Sequence, residues 1–131
     1  MRFGTLVTAS VFGALLTVGY SAPVLAAGDA AEGKKVYRKC QACHVVDKEQ
    51  NRVGPHLVGI FGREAGAVEG FRYSKAMSES GIVWSEETIA AYLRDPRGYI
   101  KGNRMAFAGL KKDEDVANVI AYLKEATAQT Q

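Results

Sequence analysis

The stretch that decides the fold is Cys40-Gln41-Ala42-Cys43-His44. It is a C-x-x-C-H run, the pattern to which c-type haem is attached. The spacing has a chemical reason. Roughly one helical turn brings both thiols to one side, where each adds to a haem vinyl group as a thioether. The histidine follows directly, so its imidazole reaches the iron from the same side. Three other chemistries use similar residues. A disulfide suits an exported protein but needs no adjacent histidine. A thioredoxin-type dithiol expects a βαβ context, and no alternating strand pattern is visible in the chain. A zinc site takes about four ligands, whereas the whole chain offers 2 Cys and 2 His, and His56 would have to join from a loop.

Outside the motif, the composition describes one small globular unit. The chain has 131 residues, 47% hydrophobic and 24% charged, within the range of about 100–200 residues for a single domain and outside that of disordered chains. A formal charge of +3 is too small to suggest a nucleic-acid binder, and 2 cysteines exclude a multi-disulfide scaffold. Arg2 gives the N-terminus a positive start, Leu6 to Tyr20 is apolar, and small residues follow, with Val24 and Ala26 placed as in a cleavage site. This is the three-part pattern of a secretory signal peptide. Residues 1–26 are read as that signal, cleaved near Ala26, and 27–131 as the exported domain. The simplest destination is the bacterial periplasm.

The domain reads as all-α, helices joined by glycine-rich loops. Asp29 and Glu32 have the spacing of a capping box, and Gly33, Val36, Tyr37 and Cys40 form a helical stripe after them. Gly59, Gly62 and Gly66 punctuate a long loop, Ser74 and Ser85 are placed to cap further helices, and Pro96 stops one and opens another. The last helix starts near Asp113 and carries the stripe Val116, Val119, Ile120 and Leu123. Such a thin core calls for a staple, which the haem would supply.

A second strong ligand saturates haem iron and favours electron transfer, whereas an open position permits ligand chemistry. Three side chains are available: His56, Met77 and Met105. His56 reads as a loop histidine and Met77 as core filler. Met105 lies between Gly102 and Gly109 in a loop able to fold inward, and spacing favours it over Met77.

The remaining residues make a resemblance specific. Gly33, Tyr37 and the motif are followed by Gly54-Pro55-x-Leu57, Gly59-x-Phe61-Gly62-Arg63, Gly70-Phe71-x-Tyr73 and Gly81-Ile82-x-Trp84. Then come Tyr92-Leu93 with Pro96, Met105-x-Phe107-Ala108-Gly109 and Ile120-Ala121-Tyr122-Leu123. Over residues 28–127 the chain resembles a class I cytochrome c, of the mitochondrial-like bacterial c2 type. The resemblance implies a few helices wrapped around one haem, with the terminal helices crossed at Gly33 and Tyr122. It implies one haem c bound through Cys40 and Cys43, with His44 and Met105 as axial ligands. It further implies that Pro55 orients the histidine ring through its carbonyl, that Arg63, Tyr73 and Trp84 hold a haem propionate, and that Tyr92 and Asn103 lie beside the methionine. Three departures stand out. Met77 takes the place of a usual asparagine, Asn103 that of a threonine and Lys101 that of a proline, and Lys101 is a candidate to visit the iron at alkaline pH.

The implied function is that of an electron carrier, not an enzyme, working as a monomer. The expected donor is a cytochrome bc-type complex, and the expected acceptor a terminal oxidase or photosynthetic reaction centre. Lys35, Lys39, Arg52, Arg97, Arg104, Lys111 and Lys112 correspond to a basic ring around the haem edge, suited to steering an acidic partner. Two alternatives carry the same motif: a haem protein with ligand-binding or peroxidase activity, and a carrier dedicated to one periplasmic dehydrogenase.

Overall fold

A computed structural model describes residues 27–128. Residues 1–26, on which the signal-peptide reading falls, and 129–131 lie outside the described residues. The elements are α1 (Ala30–Tyr37), α2 (Lys75–Ser78), α3 (Glu86–Arg94), α4 (Pro96–Tyr99) and α5 (Asp113–Ala126). Among the described residues there is no strand, only an isolated antiparallel bridge between Glu64 and Val83. No described helix is long and apolar enough to cross a membrane. The fold is all-α.

Helix ends follow local chemistry, with two differences from the sequence reading. The Asp29 side chain accepts from the Glu32 N–H at 2.9 Å, but the Glu32 carboxylate pairs with Lys35 at 2.6 Å and does not close the box. At α3 the box is complete, and its second half is Thr88. The Ser85 hydroxyl accepts from the Thr88 N–H at 3.2 Å, and the Thr88 hydroxyl accepts from the Ser85 N–H at 2.7 Å. Glu86, paired with Lys124, and Glu87, which accepts from the Ser85 hydroxyl at 2.7 Å, place negative charge at the positive end of the helix dipole. Lys112 precedes α5 without a side-chain cap, and Asp113, Glu114 and Asp115 in the first turn serve the dipole instead.

The fold is tied together where α1 crosses α5. The helices approach so closely that a Cβ on Gly33 would lie 1.9 Å from the Asn118 carbonyl oxygen. The Asn118 side chain accepts from the Asp29 N–H at 2.7 Å, and the rings of Tyr37 and Tyr122 pack with centroids 5.2 Å apart. Val116, Val119, Ile120 and Leu123 are all buried, so one face of α5 is the floor of the core. Its C-terminal end is fastened by Thr127, whose carbonyl accepts from the Gly59 N–H at 2.7 Å. The long loops from residue 44 to 74 and from 100 to 112 fold back over this floor.

Candidate haem site

The helical stripe of α1 stops at Tyr37, earlier than the period predicts, and the cysteine motif follows in turns. The Cys40 N–H donates to the Tyr37 carbonyl at 2.8 Å, and the Cys43 and His44 N–H groups both donate to the Cys40 carbonyl at 3.0 Å. One isolated helical turn therefore spans the motif. The Tyr37 hydroxyl holds the far end by donating to the His44 carbonyl at 2.7 Å. The two thiols are not joined to each other. Both line a cavity of about 450 Å³ that opens beside the motif and reaches down to Val119 and Leu123 of α5. Burial pushes the Cys40 thiol up to about 11.

His44 enters this cavity in a fixed state. Its Nδ1 lies 2.7 Å from the Pro55 carbonyl oxygen. A carbonyl only accepts, so Nδ1 carries the proton and donates, leaving Nε2 with its lone pair free. Burial holds His44 below the usual histidine range, opposed by the Pro55 bond and helped by the nearby Arg63 charge. The neutral imidazole is the form that binds a metal. Gly54 makes room for the ring, since a Cβ there would lie 2.4 Å from His44 Cε1.

Met105 lines the same cavity from the loop after α4. The Tyr92 hydroxyl of α3 lies 3.7 Å from its sulfur, and its backbone N–H donates to Asn103 Oδ1 at 2.9 Å. Met77 lines the cavity as well; its N–H donates to the Ser74 hydroxyl at 3.1 Å, but among the described residues no hydroxyl donates to its sulfur. His56 is not among the lining residues; its carbonyl instead accepts from Arg63 Nη2 at 3.0 Å.

Arg63, Tyr73 and Trp84 come together on this cavity, as do Pro55 and Tyr92. The Arg63 guanidinium also donates to the Val58 carbonyl at 2.9 Å, while its Nε is buried with no partner. A buried donor of this kind calls for an acceptor, and a carboxylate supplies one. The Tyr73 hydroxyl accepts from the Val68 N–H at 3.3 Å. Trp84 is buried, with its ring 5.2 Å from that of Tyr92. Leu57, Ile60, Phe71, Leu93 and Phe107 give the remaining wall its apolar character. Two thiols, a neutral imidazole with a free Nε2, a thioether, an orphaned buried guanidinium nitrogen and an apolar wall together fit haem.

Of the basic residues singled out from the sequence, Lys39 and Arg104 line the cavity. Arg104 is held by the carbonyls of Tyr73 at 2.7 Å and Arg72 at 3.2 Å. Lys35 is paired with Glu32, Arg52 donates to the Gln41 carbonyl at 3.4 Å, and Lys111 to the Ala108 carbonyl at 3.0 Å. Arg97 and Lys112 are exposed. Sequence reading missed Arg72 and Val53, which also line the cavity; Val53 is 79% exposed and gives the opening an apolar edge.

Comparison with known proteins agrees with this site. The cytochrome c family model matches residues 30–127. The chain is 51% identical over 104 residues to a cytochrome c of Chlamydomonas reinhardtii, covering 78% of this chain and 93% of that protein. It is 45% identical over 119 residues to a cytochrome c2 of Blastochloris viridis, covering 90% and 93%. A cytochrome c2 of Afifella marina is 53% identical over 98 residues, covering 72% of this chain and 79% of that one. The chain therefore belongs to the cytochrome c family and carries covalently bound haem c, with Cys40 and Cys43 at the attachment positions.

Proposed function

We propose that this haem electron carrier works in the periplasm, with His44 and Met105 as axial ligands, between a cytochrome bc-type complex and a terminal oxidase or photosynthetic reaction centre. The observation that carries the ligation is a pair of polar frames on one cavity. Pro55 holds His44 with Nε2 unprotonated, and Tyr92 and Asn103 hold Met105 by its sulfur and its backbone. When bound, haem supplies an iron that gains and loses a single electron, and thioether ligation raises its potential.

The rest follows from what the side chains do. Cys40 and Cys43 fix the group covalently. Arg63, Tyr73 and Trp84 hold a propionate, whose burial requires partners. The apolar wall disfavours added positive charge and so supports the reduced state. With both axial positions taken, no bond to a substrate is made or broken, and the protein is a carrier rather than an enzyme.

Lys39, Arg72 and Arg104 beside the exposed Val53 form a basic rim with an apolar edge, suited to an acidic docking partner. The likeness to cytochromes c2 supports the partner class, and the N-terminal pattern of residues 1–26 supports export.

Visible absorption of the exported protein in both redox states tests this reading. A low-spin c-type spectrum with the weak far-red band of ferric iron bound to thioether sulfur, lost in Met105→Ala, is the expected result. A parent spectrum without that band, already binding added ligands, would move the protein to the ligand-processing class.

A further inference from the structure

The Pro55 carbonyl that orients His44 begins a strap of backbone that closes on itself. The Leu57 N–H donates to the Val45 carbonyl at 2.8 Å, and the Leu57 carbonyl accepts from the Ile60 N–H at 3.1 Å. The Arg63 N–H then donates to the Ile60 carbonyl at 3.1 Å. From this second turn the Arg63 guanidinium reaches back to the carbonyls of His56 at 3.0 Å and Val58 at 2.9 Å. The far end of the strap thus grips its near end, one residue from Pro55.

The strap is tied to the last helix at its bend. Gly59 has φ +65°, a conformation that turns the chain and favours glycine. Its N–H donates to the Thr127 carbonyl at 2.7 Å. Thr127 is the C-cap of α5 and is 1% exposed. Its N–H and its hydroxyl both donate to the Leu123 carbonyl, at 2.9 and 2.6 Å. Both donors are spent inside the helix, and the carbonyl is the group that leaves it. Without Gly59, that carbonyl would be one of the orphans at a helix end. The next tie to another segment is the Gly62 N–H, which donates to the Trp84 carbonyl at 2.7 Å.

We propose that Thr127 is a positioning residue for His44. It holds the bend at Gly59, the bend sets where the turn carrying Arg63 starts, and the Arg63 grip sets the height of the Pro55 carbonyl under the ring. A residue at the end of the chain's last helix is in this way coupled to the histidine through α5, the strap and one carbonyl. The inference deepens the ligation proposed above and rests on His44 as an axial ligand.

The test is solvent exchange of the His44 ring N–H, followed by NMR in the reduced holoprotein, since that proton makes the Pro55 bond. Removing residues 127–131 takes the Thr127 carbonyl away. It is expected to speed exchange about fivefold or more, the net worth of one hydrogen bond. Thr127→Ala keeps the carbonyl but loses the hydroxyl bond that steadies it, and should fall between parent and truncated protein. Thr127→Ser restores the hydroxyl and should exchange within twofold of the parent. Val116→Ala, a buried change at the other end of α5, controls for general loss of stability and should leave exchange at the parent rate. Exchange within twofold of the parent in the truncated protein would overturn the proposal, as would an equal acceleration in Val116→Ala. If the truncated protein yields no holoprotein, parent-like exchange in Thr127→Ala would overturn it. A parent whose His44 ring proton carries no haem-induced shift would instead remove the reading of His44 as a ligand, so the two failures are distinguishable.

Discussion

Replacing Gly54 by alanine tests whether the backbone beneath the His44 ring sets its position. Gly54 has no positive φ, so an alanine there meets no backbone strain. The cost is steric. The new Cβ would lie 2.4 Å from Cε1, 2.8 Å from Nδ1 and 2.9 Å from Nε2 of His44. Ordinary carbon contacts begin near 3.5 Å, so ring or loop must retreat by about 1 Å. The loop is pinned on both sides of the residue. The Gly54 N–H donates to the Cys43 carbonyl at 2.9 Å, and its carbonyl accepts from the Arg52 N–H at 2.9 Å. The ring is therefore the part that moves, and its bond to Pro55 is lost. Overpacking costs about 1–3 kcal/mol and the hydrogen bond about 1 kcal/mol, so Gly54→Ala should destabilise the domain by about 2–4 kcal/mol. Guanidinium unfolding of the ferric holoprotein measures this, and the visible spectrum should show altered axial ligation. Gly62→Ala is the control: nothing lies within 4 Å of its Cβ, but its φ is +87°, so about 1–2 kcal/mol of backbone strain is expected with an unchanged spectrum. A Gly54→Ala protein with the parent spectrum, losing no more stability than Gly62→Ala, would refute the reasoning.

Gly33→Ala would push Cβ to 1.9 Å from the Asn118 carbonyl oxygen and 2.8 Å from Tyr122 Cβ, and α5 has nowhere to go. A loss of about 4 kcal/mol or more is expected, read from thermal unfolding, and a loss below about 1 kcal/mol would contradict the close crossing. Lys101→Pro should stabilise by about 0.4–1 kcal/mol, because proline pre-sets the first central position of a turn, here the one closed by the Asn103 N–H on the Ile100 carbonyl at 3.1 Å; a lowered denaturation midpoint would argue against that turn. Burial pushes both Tyr37 and Tyr92 up to about 12, above the unfolded value near 10. The folded state holds these protons more tightly, so their contribution is intact below about pH 10 and declines as pH rises toward 12. Tyr92→Phe should flatten part of that decline in unfolding midpoints, by on the order of 1 kcal/mol at about pH 11; a slope identical to the parent would exclude Tyr92 as a source.

The parts of this structure that were legible in the sequence are those set by neighbours along the chain. Asp29, Ser74 and Ser85 cap the helices they precede, since capping is a matter of two or three residues. The α5 stripe was legible because a helix of 14 residues repeats its pattern several times. The end of α1 was not, because the period continues to Cys40 while the backbone turns away after Tyr37. Contacts between distant segments left weaker signals. Gly54 matters through a ring on another turn, and Arg72 and Val53 reach the cavity from loops without periodicity. Asn103 was placed beside the methionine by family pattern alone. Its four bonds depend on how α4, α3 and the loop converge, which no local rule specifies.

Core and site are one object in this protein. Ile60, Trp84, Tyr92 and Val119 belong to the buried core and also line the cavity. A cavity of about 450 Å³ with mostly apolar walls leaves that face of the core without a packing partner, and unfilled apolar space costs stability. A short chain with long glycine-rich loops buries little else, so the apolar face of the haem serves as core. Covalent attachment at Cys40 and Cys43 makes that filling permanent. Retention of the haem then no longer depends on the axial ligands. Under the ligation proposed above, the loop from Gly102 to Ala108 needs to hold Met105 only for coordination, and weakening its bonds to Tyr92 and Asn103 should change the iron's ligand long before it unfolds the protein.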